Sequence, residues 1–181
     1  MFEKRETAIA GCFELRPVVR SDSRGQFVKT FHADYFSSNN LETDWSEQYY
    51  SVSRKGVLRG MHFQRPPHAH AKLVYCTSGT ILDVVVDLRV GSSTYGDHIS
   101  LEISSTAGNI LYVPQGFAHG FYALSDATVV YNVSTVYSPD HDDGVLWSSI
   151  GMDWPVASPD LSERDTKLSA LADFNSPFNV A

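Results

Sequence analysis

The chain has 181 residues, 43% of them hydrophobic and 12% aromatic, so it can bury a sizeable core and is too apolar to be disordered. Its 14 basic and 21 acidic residues give a net charge of −7, which argues against nucleic acid or an anionic membrane as the main partner. Cys12 and Cys76 are the only cysteines, which excludes a disulfide framework and a cysteine zinc site.

The beginning of the chain shows no targeting or membrane segment. MFEKRETAIAGCFELRP lacks the unbroken apolar core of a signal peptide. No stretch of the sequence reaches the roughly 18 apolar residues of a membrane span. We therefore expect a cytoplasmic protein.

The middle of the chain predicts strands. Short β-branched and aromatic runs occur in KLVYCTSG, TILDVVVDLRVGSSTYGDHISLEI, GNILYVPQGFAHGFYAL and ATVVYNVSTVYSP. The turn signals TSG, VGSS, TAGN and LSD recur roughly every 8–15 residues, a rhythm typical of an all-β sandwich or barrel.

Helical signals are confined to two places. HADYFSSNN (32–40) predicts one short turn, and SERDTKLSALADF (162–174), with Ser162 as a plausible N-cap, is the strongest helical candidate. The sequence shows no internal linker. We predict that residues 1–181 form one all-β domain, a cupin-like jelly-roll β-barrel or sandwich with a short C-terminal helical segment.

The stretch GVLRGMHFQ (56–64) contains residues that do not suit a dry core. The period of two along a strand places Arg59 and His62 on opposite faces. A bulge would bring them to one face, and Gly60 between them is a suitable place for it. Without a bulge, one of the two side chains lies outside the barrel.

More basic groups follow on neighbouring strands. Lys72 and His119 join Arg59 and His62 from at least three successive strands of a small barrel. Burying so many cationic groups costs several kcal/mol unless something anionic meets them. We therefore expect an anionic ligand in the barrel.

A metal site is one interpretation of the histidines. His68 and His70 have the His-x-His spacing of cupin metal sites, and His119 lies in PQGFAH, which is similar to the segment that supplies their last histidine. Such sites usually add a carboxylate four or five positions after the second histidine, where this chain has Val74 and Tyr75. Because that hard ligand is missing, we expect no metal.

Acid–base chemistry next to a carbonyl is the other interpretation. It needs a base whose pKa is near neutrality, a cation for the developing enolate oxygen and an acid on the opposite face. His62, Lys72 and a tyrosine of VVYNVSTVY could supply all three. Tyr131 and Tyr137, six apart on a predicted strand, would point to the same side, but on spacing alone ordinary aromatic packing explains them better.

Seven motifs carry a resemblance over nearly the whole chain, from about residue 7 to 167. They are DSRGQF (22–27), GVLRGMHFQRPPHAHAKLV (56–74), DVVVDLRVGSSTYG (83–96), VPQGFAHGF (113–121), YNVSTVYSP (131–139), GVLW and GMDWP (within 144–155) and LSERD (161–165). In order and spacing they resemble dTDP-4-dehydrorhamnose 3,5-epimerase and its relatives. The resemblance implies a cupin-like jelly roll without metal or other cofactor, working as a homodimer that exchanges strands. The implied substrate is a nucleoside-diphosphate 4-keto-6-deoxyhexose, inverted at C3, C5 or both.

By position, the resemblance implies catalytic roles for four residues. His62 matches the base that removes the proton next to the C4 carbonyl, and Asp165 matches the carboxylate that orients this histidine and favours its charged form. Lys72 matches the residue that steadies the enolate oxygen. Tyr131 matches the acid that reprotonates the carbon from the other face.

The resemblance also implies contacts with the substrate. Arg59, together with Arg24 reaching over from the second subunit, matches the arginines that bind the diphosphate, where a bidentate fork helps. His119 matches a histidine that lines the sugar pocket. Tyr137 matches the tyrosine that stacks on the base.

Five further site positions depart from the family pattern. Asp142 stands where the family commonly has Glu, and Arg164 where it has Lys, so both keep the charge. Members that use dTDP generally carry Glu at the position of Lys29, and Gln and Asn at those of Glu47 and Tyr49. A lysine that only donates and a glutamate that only accepts suit cytosine better than thymine. We therefore hypothesise that the nucleotide is CDP rather than dTDP, unless Lys29 and Glu47 form a salt bridge or shifted loops separate them.

The sequence as a whole predicts an epimerase that acts on a nucleotide-linked 4-keto-6-deoxyhexose through an enolate, for deoxysugar or surface-polysaccharide biosynthesis such as that of lipopolysaccharide O-antigen. Two other functions stay open. One is a metal-dependent cupin enzyme such as a dioxygenase, and the other is a non-catalytic module that binds sugar nucleotides.

Overall fold

The computed structural model describes residues 2–180, and strands dominate its regular secondary structure. In chain order the strands are β1 (Phe2–Glu6), β2 (Phe13–Pro17), β3 (Val19–Asp22), β4 (Gly25–Val28), β5 (Glu47–Ser53), β6 (Leu58–Gln64), β7 (Lys72–Ser78), β8 (Thr80–Asp87), β9 (His98–Ser104), β10 (Ile110–Val113), β11 (Phe117–Ala123), β12 (Ala127–Val133) and β13 (Asp142–Gly144). Helix α1 spans Ala33–Ser38, within the segment where a short turn was predicted. Within residues 2–180, none of the helices has the length and apolarity needed to cross a membrane.

The strands form two antiparallel sheets, and β3 and β4 form a separate hairpin. One sheet has the order β1-β2-β10-β7-β12-β5, and the other has the order β13-β6-β11-β8-β9. Strands β5 to β12 therefore alternate between the sheets in the orders 5-12-7-10 and 6-11-8-9, which is jelly-roll topology. The prediction of an all-β jelly roll is confirmed.

A buried apolar cluster joins the two sheets. Val74 and Val129 from the first sheet pack in it with Val85 and Phe121 from the second. Burying side chains of this size stabilises the fold by about 1.5–3 kcal/mol each. Tyr131 belongs to the same cluster, so the phenol is anchored by the core that holds the sheets together.

The second sheet is buried on its outer face as well. Val84 and Val86, which alternate with the inward residues of β8, pack with Ile150 and Phe178 from the C-terminal segment. This cover explains why β8 is an almost continuous apolar run in the sequence. It also brings the end of the chain next to β6.

The C-terminal helical segment consists of two 3-10 turns, Asp165–Lys167 and Leu171–Asp173, rather than one continuous helix. The hydroxyl of Ser162 accepts a hydrogen bond from the backbone N–H of Asp165 at 3.1 Å, as a cap would. Between the two turns Ser169 forms a β-bridge with Val145, so the chain is extended there. Pairing with the sheet therefore interrupts the helix that local propensity favours.

Two exposed apolar surfaces lie at the periphery. Phe27 and Val18, on and beside the β3–β4 hairpin, are 63% and 56% exposed. Tyr50 and Val52 of the edge strand β5 are 69% and 66% exposed. Exposed apolar side chains on an edge strand are typical of a surface that another chain covers.

Candidate active site

A cavity of about 440 Å³ is lined by residues of both sheets. It gathers all the site residues predicted from the sequence except Arg24 and Lys29. The predicted residues that line it are Glu47, Tyr49, Arg59, His62, Lys72, His119, Tyr131, Tyr137, Asp142, Arg164 and Asp165. They come from six strands and two loops, so the fold rather than proximity in the sequence assembles the site.

Arg59 and His62 share the cavity because β6 contains the predicted bulge. Arg59 pairs with Phe121 of β11 and His62 with His119, so three steps along β6 match two along β11. Gly60 lies inside this irregularity with a φ of +146°. The bulge shifts the alternation of β6 by one residue, which brings both basic side chains to the same face.

Two glycines let β6 and β11 come close at this point. A Cβ on Gly60 would lie 2.6 Å from the Cα of Gly120, and a Cβ on Gly120 would lie 2.7 Å from the carbonyl oxygen of Arg59. Neither strand can carry a side chain here without moving apart. Gly60 and Gly120 thus fix the positions of the guanidinium and imidazole groups.

His62 forms a dyad with Asp165. Its Nε2 lies 2.6 Å from Oδ1 of Asp165, whose side chain is only 3% exposed. The other carboxylate oxygen accepts a hydrogen bond from the backbone N–H of Gly60 at 3.4 Å. Burial raises the pKa of Asp165, but its bonds to His62, Gly60 and Ser162 outweigh that effect and hold the pKa below the ordinary value. With Nε2 bound to a carboxylate, Nδ1 is the nitrogen of His62 that can take a proton from a ligand.

Lys72 is buried in the wall beside the dyad. Its Nζ donates a hydrogen bond to the backbone carbonyl of His62 at 3.0 Å. Burial lowers the pKa of Lys72 to about 8, against the opposing charges of Asp142 and Asp83. A cation of this kind can stabilise negative charge that develops on a ligand oxygen near the imidazole.

Tyr131 faces the cavity from the first sheet. Its ring stacks on that of Tyr49, its direct neighbour on β5, with centroids 4.9 Å apart and planes inclined by 21°. Burial raises the pKa of the phenol. The phenol therefore keeps its proton at neutral pH and can donate it.

His119 contacts a residue that sequence reasoning missed. Its Nε2 lies 2.6 Å from Oδ1 of Asp83, and both side chains are almost completely buried. Despite this distance, neither atom makes a hydrogen bond of good geometry. The one signal was an aspartate within the apolar run ILDVVVDL, where a carboxylate is not expected without a partner.

Gln64 and His70 are further cavity residues without a predicted substrate contact. The amide oxygen of Gln64 accepts from the backbone N–H of Ser138 at 2.6 Å, which fixes the amide orientation. The amide nitrogen then faces Nδ1 of His70 at 3.2 Å, so this ring nitrogen is the acceptor. Burial lowers the pKa of His70 to about 3, and the imidazole is neutral.

Buried polar atoms without hydrogen-bond partners concentrate at this cavity. Among the described residues they are Ser51 Oγ, His70 Nε2, His119 Nε2 and both carboxylate oxygens of Asp83, with Trp45 Nε1 elsewhere. Native proteins rarely leave such atoms unsatisfied away from functional sites. Their grouping indicates a cavity built to hold a polar ligand.

Tyr137 lines the cavity but does not lie on the strand of Tyr131. Strand β12 ends at Val133, so the prediction that the two tyrosines share a strand is wrong. Residues 134–141 connect β12 to β13, and Tyr137 lies in this connection. Its ring is 58% exposed and free to contact a flat ligand group.

Charged side chains hold the loop of Tyr137. Its backbone N–H donates to the carboxylate of Glu47 at 2.7 Å, and its hydroxyl donates to Asp142 at 3.3 Å. Asp142 is also paired with Arg164 at 2.8 Å. One carboxylate oxygen of Glu47 is therefore engaged by the protein backbone, and within residues 2–180 no ion pair joins Glu47 to Lys29.

Arg24 and Lys29 lie outside the cavity of their own chain. Arg24 stands at the turn of the β3–β4 hairpin, 88% exposed and paired with Asp22 at 2.6 Å. Lys29 follows β4 and lines a separate surface depression with Phe27 and Val18. Neither residue lines the cavity of its own chain.

The three histidines of the metal interpretation are used separately. His68 packs on His141 with ring centroids 4.4 Å apart, His70 accepts from Gln64, and His119 contacts Asp83. Over residues 2–180 no group of three or more His, Cys, Asp or Glu side chains is placed to hold a metal ion. The geometry gives the metal-dependent alternative no support.

Comparison with known proteins identifies the family. The family model of dTDP-4-dehydrorhamnose 3,5-epimerase matches residues 6–173. A protein of that name from Methanothermobacter thermautotrophicus is 40% identical over 172 residues, which cover 92% of each chain. A dTDP-4-dehydrorhamnose 3-epimerase from Streptomyces niveus is 39% identical over 173 residues, covering 93% of this chain and 84% of the other.

A solved structure agrees with the sequence relatives. The dTDP-6-deoxy-D-glucose-3,5-epimerase from Legionella pneumophila, in complex with dTDP-4-keto-L-rhamnose, superposes with a TM-score of 0.94 at 30% identity over 100% of both chains. The chain therefore belongs to the dTDP-4-dehydrorhamnose 3,5-epimerase family, whose members are nucleotide-sugar isomerases.

Proposed function

We propose that the protein inverts C3, C5 or both carbons of a nucleoside-diphosphate 4-keto-6-deoxyhexose. The observation that carries this proposal is the placement of His62 and Tyr131 on opposite sheets around one cavity. Inversion of a carbon next to a carbonyl requires a base on one face and an acid on the other. A module that only binds its ligand needs neither group.

The reaction uses proton transfers alone. Nδ1 of His62 takes the proton from the carbon next to the C4 carbonyl, and the electron pair moves to the carbonyl oxygen to give an enolate. Lys72 stabilises that oxygen, and the carboxylate of Asp165 stabilises the imidazolium. The hydroxyl of Tyr131 then protonates the carbon from the opposite face. Protons returning from solvent restore the tyrosine, and His62 releases its proton to solvent.

The remaining predicted residues bind the substrate in this proposal. Arg59 holds the diphosphate, and His119 contacts the sugar. Tyr137 stacks on the base, with Glu47 holding its loop. The wall contributed by Tyr49, Asp142 and Arg164 completes the nucleotide end of the cavity.

We propose a homodimer in which each chain contributes to the other's site. The β3–β4 hairpin is separate from both sheets and carries Arg24, which is 88% exposed. The edge strand β5 presents exposed Tyr50 and Val52 beside the cavity residues Tyr49 and Ser51. A second copy covering this edge would bury apolar surface and bring Arg24 and Lys29 to a nucleotide.

The nucleotide we propose is dTDP. Each of the relatives described above carries dTDP in its name, and the Legionella protein was solved with a dTDP-sugar. The CDP hypothesis depended on Lys29 and Glu47 reading one base, but Glu47 is engaged by Tyr137. Isothermal titration with dTDP, CDP, GDP and UDP tests the choice. Tightest binding of dTDP supports this proposal, and tightest binding of CDP restores the earlier hypothesis.

We also propose that the protein serves deoxysugar or surface-polysaccharide biosynthesis. We propose further that it is cytoplasmic and that residues 1–181 form one domain. The names of the relatives include both 3,5-epimerases and a 3-epimerase. The NMR experiment described next therefore also has to show which carbons this protein inverts.

The proposal is tested by proton NMR of a dTDP-4-keto-6-deoxyhexose in D2O. The wild-type protein should replace the hydrogen at C3, C5 or both by deuterium, and His62→Ala should abolish this exchange while the fold persists. His98→Ala is the matched control, because His98 lies on β9, away from the cavity. Exchange at the wild-type rate in His62→Ala would reject the assignment.

A further inference from the structure

Gln64 is the last residue of β6 and is 2% exposed. It stands two residues after His62 on the same face of the strand, and both side chains line the cavity. A buried amide needs hydrogen-bond partners for its oxygen and for its N–H groups. The partners of this side chain lie in the segments 65–71 and 134–141, which follow β6 and β12.

The amide of Gln64 holds the backbone on both sides of Tyr137. Its oxygen accepts a hydrogen bond from the N–H of Ser138 at 2.6 Å. Its nitrogen donates to the carbonyl oxygen of Val136 at 3.2 Å. The N–H of Tyr137 itself donates to Glu47 at 2.7 Å. Both peptide groups that flank the Cα of Tyr137 are therefore held, which restricts the two backbone torsions of this residue.

The same amide nitrogen ties this loop to the segment after β6. It donates to the carbonyl oxygen of His68 at 2.9 Å, and the hydroxyl of Thr135 donates to that carbonyl oxygen at 2.8 Å. Nδ1 of His70 is a further acceptor, 3.2 Å from the nitrogen. Gln64 therefore anchors the loop of Tyr137 to the strand that carries the proposed base.

The ring of Tyr137, unlike its backbone, is open to a ligand. The residue is 58% exposed, and its hydroxyl bonds to Asp142 at 3.3 Å. An aromatic ring can bind a nucleobase by stacking on its face. A loop that is already held in the binding arrangement loses less conformational entropy when the ligand binds. Fixing the backbone of Tyr137 therefore favours stacking.

We propose that Gln64 is a positioning residue for nucleotide binding, which holds the loop of Tyr137 so that the ring can stack on the base. The inference rests on the proposed function, because that function assigns the stacking to Tyr137. Gln64 acts through Tyr137 and not through contact with the ligand. Strand β6 then orders three parts of the substrate: the diphosphate through Arg59, the sugar carbon through His62 and the base through Gln64.

The first test is a double-mutant cycle of Gln64→Met and Tyr137→Ala. Each variant is titrated with dTDP, CDP, GDP and UDP, and the cycle is evaluated for the nucleotide that the wild-type protein binds most tightly. Tyr137→Ala should weaken binding about 10–100-fold, since it removes the stacking ring. Gln64→Met should weaken binding about five- to tenfold alone and cause no further loss in Tyr137→Ala. Additive losses, or no loss in Gln64→Met alone, would overturn the inference.

Turnover provides a second readout. Gln64→Met should raise KM about five- to tenfold and change kcat less than about twofold, because stacking on the base contributes equally to the ground state and the transition state. Asn109→Leu is the matched control. Asn109 is 4% exposed, does not line the cavity, and its amide also bonds backbone groups, those of Ser104 and Glu102. It should lower the melting temperature and leave KM unchanged. An equal rise of KM in Asn109→Leu would show that general destabilisation is responsible.

Amide hydrogen exchange of the ligand-free wild-type protein tests the anchoring of the loop without any variant. The N–H of Ser138 should exchange at least about 100-fold more slowly than in an unstructured peptide, although the neighbouring Tyr137 is exposed. Exchange at the peptide rate would contradict the inference. If the substrate carbons show no exchange with solvent but the binding cycle gives the expected result, the proposed epimerisation fails while the role of Gln64 stands.

Discussion

His62 and Tyr131 project from opposite sheets of the jelly roll into one cavity. His119 lies between them, since it pairs with His62 in the register of β6 and β11 and meets the ring of Tyr131 edge-on at 6.0 Å between centroids. A flat sugar ring bound between the two sheets would expose one face to the imidazole and the other to the phenol. In the proposed function, this arrangement places the base and the acid on opposite faces of one carbon.

The charge of Lys72 should set the alkaline limit of activity. Lys72 must be cationic to stabilise the enolate oxygen, so activity falls as pH rises through its pKa of about 8. Lys72→Met should reduce kcat about 10²–10³-fold and remove the fall above pH 8. Lys167→Met, which changes an exposed lysine, is the control and should keep the wild-type profile. An unchanged alkaline limb in Lys72→Met would show that another group sets it.

The bulge in β6 should be intolerant of a side chain. Gly60→Ala places a Cβ 2.6 Å from the Cα of Gly120 at a φ of +146°. We expect a loss of about 2–3 kcal/mol in the free energy of unfolding, a melting temperature lower by about 5–10 °C and near-complete loss of activity, because Arg59 and His62 separate. Gly151→Ala is the matched control, since Gly151 also has a positive φ but nothing within 4 Å of the added Cβ. Equal effects of the two substitutions would mean that backbone strain, and not the close approach of β6 and β11, is responsible.

The proposed exchange between subunits predicts complementation. Arg24→Ala and His62→Ala should each be inactive as homodimers. In a mixed dimer, one site would combine the intact His62 of one chain with the intact Arg24 of the other. Random mixing should therefore recover about a quarter of wild-type activity, because half of the dimers are mixed and each has one complete site. Analytical ultracentrifugation confirms the dimer, and absence of any recovery would exclude the exchange.

The sequence predicted the fold and most of the residues that line the cavity. Short β-branched and aromatic segments alternate with turn residues along the sequence, and this pattern predicts an all-β sandwich or barrel such as a jelly roll. An arginine and a histidine around Gly60 were out of place in a core strand, and only a bulge could bring them together. The structure has that bulge.

Other features depended on tertiary contacts that no local pattern contains. Asp83 was not predicted because it lies in an apolar segment typical of a buried core strand. Its contact, His119, is far away along the chain. Tyr137 lies beyond the end of β12, in a loop where its backbone N–H donates to Glu47, a residue far away along the chain. The C-terminal helix is broken where Ser169 bridges to Val145.

The central claim is that His62 and Tyr131 work on opposite faces of one carbon, and isotope exchange followed together with inversion tests it most directly. In D2O, Tyr131→Phe should still incorporate deuterium next to the keto group but with retained configuration, since His62 can return a deuteron to the face from which it took the proton. His62→Ala should show neither exchange nor inversion. Inversion at the wild-type rate in Tyr131→Phe, or exchange in His62→Ala, would contradict the account.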